Sequence, residues 1–142
     1  MSSKEVYHRI TYTADTGIGN GTNAEVALTL PQARGNNALW ELVSFTYKYV
    51  SGTASTVAFS VGEATGFTPG AGPSVYEGAA LAKSTAFHKL DLARESGPVI
   101  VSPDAASKIY LHATFAGSST NNKFIVRLAF KQLKGRNRDV TV

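Results

Sequence analysis

Cysteine is absent from the chain, which excludes a disulfide framework, a thiolate zinc site and a nucleophilic thiol. Long apolar runs are missing too: no stretch approaches the ~18 uncharged apolar residues of a membrane-spanning helix. The opening "MSSKEVYHRI" has no apolar core of a secretory signal, so the expectation is a non-membrane protein made in the cytoplasm. Charge is scarce, at 17% of residues, and helix-favouring charged stretches are correspondingly few. What replaces charge is hydroxyl and glycine: Ser and Thr total 27 and Gly 13 of the 142 residues. That balance suits sheets and tight turns. The length fits one domain, which buries roughly two-thirds of its unfolded surface.

Period-two alternation recurs between clusters of Gly, Asn, Pro and Ser, as in a sandwich or barrel. In "EVYHRITYT", Val6, His8, Ile10 and Tyr12 share one face and Tyr7, Arg9 and Thr11 the other. "AEVALTL" turns Val26, Leu28 and Leu30 inward. The strongest strand is "LWELVSFTYKYV" at 39–50, with Val43, Phe45, Tyr47 and Tyr49 on one face and Ser44, Thr46 and Lys48 on the other. "TVAFSV" follows the turn "SGTAS" and is expected to pair with its predecessor as a hairpin. The glycine- and proline-rich stretch 62–74 reads as a surface loop. Residues 77–83 would tolerate a helical turn, 87–92 reads as a strand, "GPVIV" as a short buried run, and "SPDAAS" as a corner. "KIYLHATFAG" and "KFIVRLAFKQL" are clear strands, and "SSTNN" between them is expected to close an antiparallel hairpin.

These elements predict an all-β, antiparallel β-sandwich of about eight strands in jelly-roll or related Greek-key order, with an immunoglobulin-type sandwich as the competing arrangement. The domain spans 1–133, with a short N-terminal arm at 1–4 and a basic extended arm at 134–142.

Catalytic signals are thin. His8, His88 and His112 fall on three different strands without metal-ligand spacing. There is no G-x-S-x-G elbow to single out a serine. "DTGIGNGTN" offers Asp15, Asn20 and Asn23 but too few carboxylates for tight calcium binding. Glu41, on the apolar parity of the strongest strand, is the one acid out of place. The expectation is a non-enzyme without cofactor or metal. Tyr7, Trp40 and Tyr110 stand opposite the expected core and are candidate interface aromatics, or stacking platforms for sugar rings.

The net charge of +4 is uneven. Residues 131–142 hold Lys131, Lys134, Arg136 and Arg138 against Asp139, leaving ten cations against nine anions in the other 130 residues. A nucleic-acid reader spreads its cations over a face of the fold, so nucleic acid is not the expected partner. The ending "RDVTV" instead alternates like a strand seeking an edge. Lys134, Arg136 and Arg138 would steer the arm toward an acidic neighbour, and Val140 and Val142 would fasten it by strand addition.

A cysteine-free β chain rich in Ala, Gly, Ser and Thr, with the strand series 39–61 and 107–133 and the polar termini "MSSKEVYHR" and "KGRNRDVTV", resembles the cement or decoration proteins of tailed-phage capsids. The resemblance implies a symmetric homo-oligomer on the surface of the virion that binds the major capsid protein and stabilises the assembled shell. The alternative is a receptor- or carbohydrate-binding sandwich of a phage fibre or similar appendage.

Overall fold

The computed structural model describes residues 6–18, 23–31, 38–66, 74–82, 84–92, 97–116 and 122–134. These form ten strands and, among the described residues, no helix: β1 Tyr7–Ile18, β2 Asn23–Thr29, β3 Leu39–Ser51, β4 Thr56–Gly62, β5 Ser74–Glu77, β6 Leu81–Ala82, β7 His88–Lys89, β8 Ile100–Val101, β9 Lys108–Ala116 and β10 Asn122–Lys134.

The strands make two antiparallel sheets. Sheet A runs β1-β10-β3-β7, with β8 also on β3, and sheet B runs β2-β9-β4-β5, with β6 also on β4. Pairing first with last, second with next to last, and so inward to β4 with β5 is the double wrap of a jelly roll. The two-residue strands β7 and β8 share one edge of β3, and backbone bonds from Leu42 to Val99 and from Leu90 to Phe45 extend that pairing. The expected sandwich is therefore present, in jelly-roll order.

Two neighbour assignments change. β4 does not form a hairpin with β3, and β9 does not form one with β10; in each case the second strand lies in the opposite sheet. Alternation reports which face of a strand is apolar but not which strand lies beside it. "SGTAS" is thus a crossover between layers, with Gly52 at φ +123° and Ala54 buried. "VYEGAALAKS" supplies β5 and β6 rather than a helical turn, and "SPDAAS" is a turn in which Asp104 accepts from the amides of Ala106 and Lys108.

The core sits between the sheets. Phe45, Phe59, Phe115, Phe124 and Phe130 are fully buried, as are Ile109, Leu111 and Val126 from the alternating series. The Phe59 ring lies 5.4 Å from Phe45 and 5.7 Å from Phe124, which also meets Phe115 at 5.5 Å. Each such side chain contributes about 1.5–3 kcal/mol by leaving water, and tilted ring pairs add about 0.5–1.5 kcal/mol.

A bulge in β3 corrects the reading of the strongest strand. Ala129 pairs with Ser44 and Phe130 with Leu42, so Val43 is an extra residue. One inserted residue reverses the parity of everything before it. Trp40 and Leu42 therefore point into the core, and Glu41 points out, opposite Lys131. Further register shifts leave Val50 of β3 and Leu133 of β10 unmatched, and both are exposed.

Candidate docking face

The two outer faces of the sandwich differ in kind. On sheet B, Glu25, His112 and Ser60 are ladder partners in one row. The residues after β4 fold back over that row. One Glu25 carboxylate oxygen accepts from the Thr65 hydroxyl at 2.6 Å, and the other accepts from the Gly66 amide at 2.7 Å and lies 2.8 Å from His112 Nε2. His112 does face away from the core, as alternation indicated, yet it is only 4% exposed, as is Ser60. A serine so enclosed is not presented to a substrate.

Tyr110 also stands on this face, half-buried, and its hydroxyl donates to Asp104 at 2.7 Å. The Tyr110 bond, with the Lys108 and Ala106 amides, holds the Asp104 carboxyl below its usual range, while the Asp104 bond raises the phenol. Lys108 donates to Thr29 at 2.8 Å. The middle of sheet B is thus tied up by its own hydrogen bonds.

The Thr65 hydroxyl bond is the main reason the Glu25 carboxyl lies below its ordinary range, followed after desolvation by the Gly66 amide and His112. A carboxyl depressed by folding stabilises the fold above its unfolded pKa and loses that contribution as pH falls through the folded value. Thr65→Val is expected to lower Tm by roughly 2–4 °C at pH 7, a small effect because the group is partly solvated. The gap should narrow as pH falls through the lowered pKa of the folded Glu25 carboxyl. A gap that does not narrow on acidification in a melting series would refute this account.

Sheet A is open. Its outward positions carry Arg9 on β1, Lys123, Arg127 and Lys131 on β10, Lys48 on β3 and Lys89 on β7. Of the seven Lys and Arg side chains among the described residues, only Lys108 lies elsewhere. The acids lie mostly the other way: among the described side chains Glu41 is at an outward position in these strands and the exposed Asp91 follows β7, whereas Glu25, Glu77, Glu63 and Asp104 belong to sheet B and its flanking loops. The near-neutral body seen in the sequence is therefore a charge-separated body, and the cation-bearing face that seemed missing exists once β1, β10, β3 and β7 lie side by side.

Two exposed rings frame this face. The Arg127 guanidinium lies 4.0 Å from the Phe87 ring centroid, with Lys48 at 5.8 Å from the same ring, and Arg9 lies 5.5 Å from Tyr7. Cation–π contact orders a guanidinium over a ring while leaving its N–H edge free to donate. Tyr7 is 44% and Phe87 39% exposed.

The three candidate aromatics thus part company. Tyr7 is on the open face, Tyr110 is bonded on the other sheet, and Trp40 is a correction: it is 3% exposed, and its indole N–H donates to the Pro31 carbonyl at 3.1 Å. The bulge at Val43 is the reason alternation misplaced it. Of the proposed arm, Lys134 ends β10, its side chain outside the described residues, and Arg136, Arg138, Val140 and Val142 lie outside them altogether. The N-terminal arm at 1–4 also lies outside them. Arg9, Lys89, Lys123, Arg127 and Phe87 were not singled out from the sequence. The available signal was that Arg9 and Lys48 occupy the polar parity of their strands.

No protein-family model matches the chain, and no curated protein matches it in sequence.

Proposed function

We propose that the chain is a non-enzymatic structural protein of a bacteriophage capsid, of the cement or decoration kind, which docks on the assembled shell and reinforces it through subunit contacts. The observation that carries this reading is the asymmetry of the two outer faces: sheet B is bonded over by its own loop and turn residues, while sheet A presents cations and two exposed rings. A closed jelly roll with one open, charged face is suited to holding a surface rather than enclosing a small molecule. A protein that binds only the assembled shell stabilises it by mass action, and many copies multiply modest contacts.

The test is a mass measurement of the isolated protein followed by co-sedimentation with assembled tailed-phage shells. The expected result is a homo-oligomer that pellets with shells, and deletion of 134–142 is expected to abolish pelleting while leaving the thermal transition intact. A monomer that stays in the supernatant with every shell tried would refute the reading.

A further inference from the structure

We propose that the outer face of sheet A binds the phosphodiester backbone of nucleic acid, without reading base sequence. The inference rests on this face alone and gives it an occupant other than the shell, so oligonucleotide binding and co-sedimentation with shells test the two readings separately.

The first argument is charge. Six cations lie on four neighbouring strands; among the described side chains the acids there are Glu41 at an outward position and Asp91 just beyond β7. Among the described residues no ion pair engages Arg9, Lys48, Lys89, Lys123 or Arg127. Neighbouring strands lie about 5 Å apart and alternate residues along a strand about 7 Å apart, so the side chains form a lattice of positive charge. A second copy presenting the same face would be repelled. The complement is a polyanion.

The second argument separates a nucleic acid from an acidic protein. Protein interfaces place apolar and aromatic anchors at the centre and charge at the rim. Here a charged side chain, Arg127, takes the central row. Between the cations stand Thr11, Thr46, Ser44 and Ala129, on adjacent strands in the register Thr11–Arg127–Thr46 and Ala129–Ser44, with the half-buried Ile125 opposite Lys48 in the next row. Of the large exposed apolar side chains, Tyr7 and Leu133 lie at one end and Val50 at the other, while Phe87 lies along the β7 edge against Arg127 and Lys48. A centre of Arg, Lys and hydroxyls is the donor set that contacts phosphate oxygens. The exposed rings of Tyr7 and Phe87 offer surfaces on which bases of a single strand can stack. Arg127, held over Phe87, can present its N–H edge to a phosphate with little further ordering.

The experiment uses the full chain and a fluorescent oligothymidylate of about twenty nucleotides, with a duplex of the same length as second probe, followed by anisotropy across a salt series. If all six cations engage phosphates, the single-strand affinity should fall with a log–log salt slope of about −4. The triple variant Arg9→Ser/Lys48→Ser/Arg127→Ser should lose about tenfold or more in affinity at low salt and flatten the slope by about 2. Lys108→Ser, on the opposite sheet, should bind like the unaltered chain. Because a triple variant can disturb the sheet, the single changes Lys89→Ser, at an exposed site, and Lys123→Ser, at a half-buried one, are measured beside it, each expected to flatten the slope by about 0.7. Neutralising the tail at Lys134, Arg136 and Arg138 should leave most of the binding.

Four results would overturn the proposal: no binding of either probe at about 50 mM salt; unchanged binding in the sheet A variants; loss of binding only in the tail variant; or displacement of the oligonucleotide by poly-glutamate as effectively as by unlabelled oligonucleotide, which would assign the face to an acidic protein.

Discussion

Replacing Gly52 by alanine is expected to destabilise the protein by about 3 kcal/mol or more, one of the largest effects of any single-atom-group addition in the chain. Two independent penalties meet there. The backbone has φ +123°, a conformation that L side chains rarely adopt. A Cβ would also stand 2.6 Å from the Asn122 Cα, 2.5 Å from its side-chain oxygen and 2.6 Å from the Tyr49 hydroxyl. The Asn122 contact is with backbone, at the first residue of β10, so a rotamer change cannot relieve it. The polar group being crowded is itself committed: Asn122 is completely buried, and its oxygen accepts from the Tyr49 hydroxyl and from the Ala54 amide at 3.0 Å. Displacing it would leave buried donors unsatisfied at the crossover from sheet A to sheet B, a further cost of about 1–3 kcal/mol. Gly66→Ala is the control. Gly66 also has positive φ, +80°, but a Cβ there meets nothing within 4 Å. Strain alone should cost about 1–2 kcal/mol. Urea unfolding of the two variants measures the difference, and a Gly52→Ala midpoint no lower than that of Gly66→Ala would refute the crowding account.

The fold was legible where alternation held. Phe124, Val126, Leu128 and Phe130 all face inward on β10, and Ile109, Leu111, Ala113 and Phe115 on β9, because period two is a property of the extended backbone itself. What alternation cannot carry is adjacency. β1 pairs with β10 over more than a hundred residues of intervening chain, and nothing local in "EVYHRITYT" specifies "KFIVRLAFKQL" as its neighbour. Both failed hairpins have this origin: a short turn between two apolar strands joins a hairpin or crosses between layers with the same residues. The open face was hidden for the same reason. Arg9, Arg127 and Lys48 are each unremarkable on their own strands, and they become a patch only through the order β1-β10-β3. The Glu25, Thr65 and His112 cluster likewise joins three segments separated by tens of residues.

Trp40→Ala is expected to cost about 3–5 kcal/mol, as large apolar truncations in a packed core do. Had Trp40 been a surface platform for a sugar, the same substitution would have left the thermal transition nearly unchanged and removed only binding. The two outcomes are far apart because the bulge at Val43 turns the indole inward, where it lies 3% exposed, 6.1 Å from the His8 ring, and donates to Pro31. That bond joins the start of β3 to Pro31, two residues beyond β2, so the indole holds strands of opposite sheets at one end of the sandwich. Trp40→Phe would keep most of the apolar volume and lose the donor, leaving the Pro31 carbonyl to find another partner, at an expected cost of about 1–2 kcal/mol. Deleting Val43 offers the reciprocal test. Removing the extra residue leaves Ser44 opposite Ala129 and Leu42 opposite Phe130 in simple alternation, so Leu42 and Trp40 stay inward and Glu41 outward. That variant should fold with its indole still buried, and Val43→Ala, which keeps the bulge, should retain the register with a loss of about 1 kcal/mol. A deletion variant whose tryptophan fluorescence is that of a solvent-exposed indole would refute the assignment of Val43 as the extra residue.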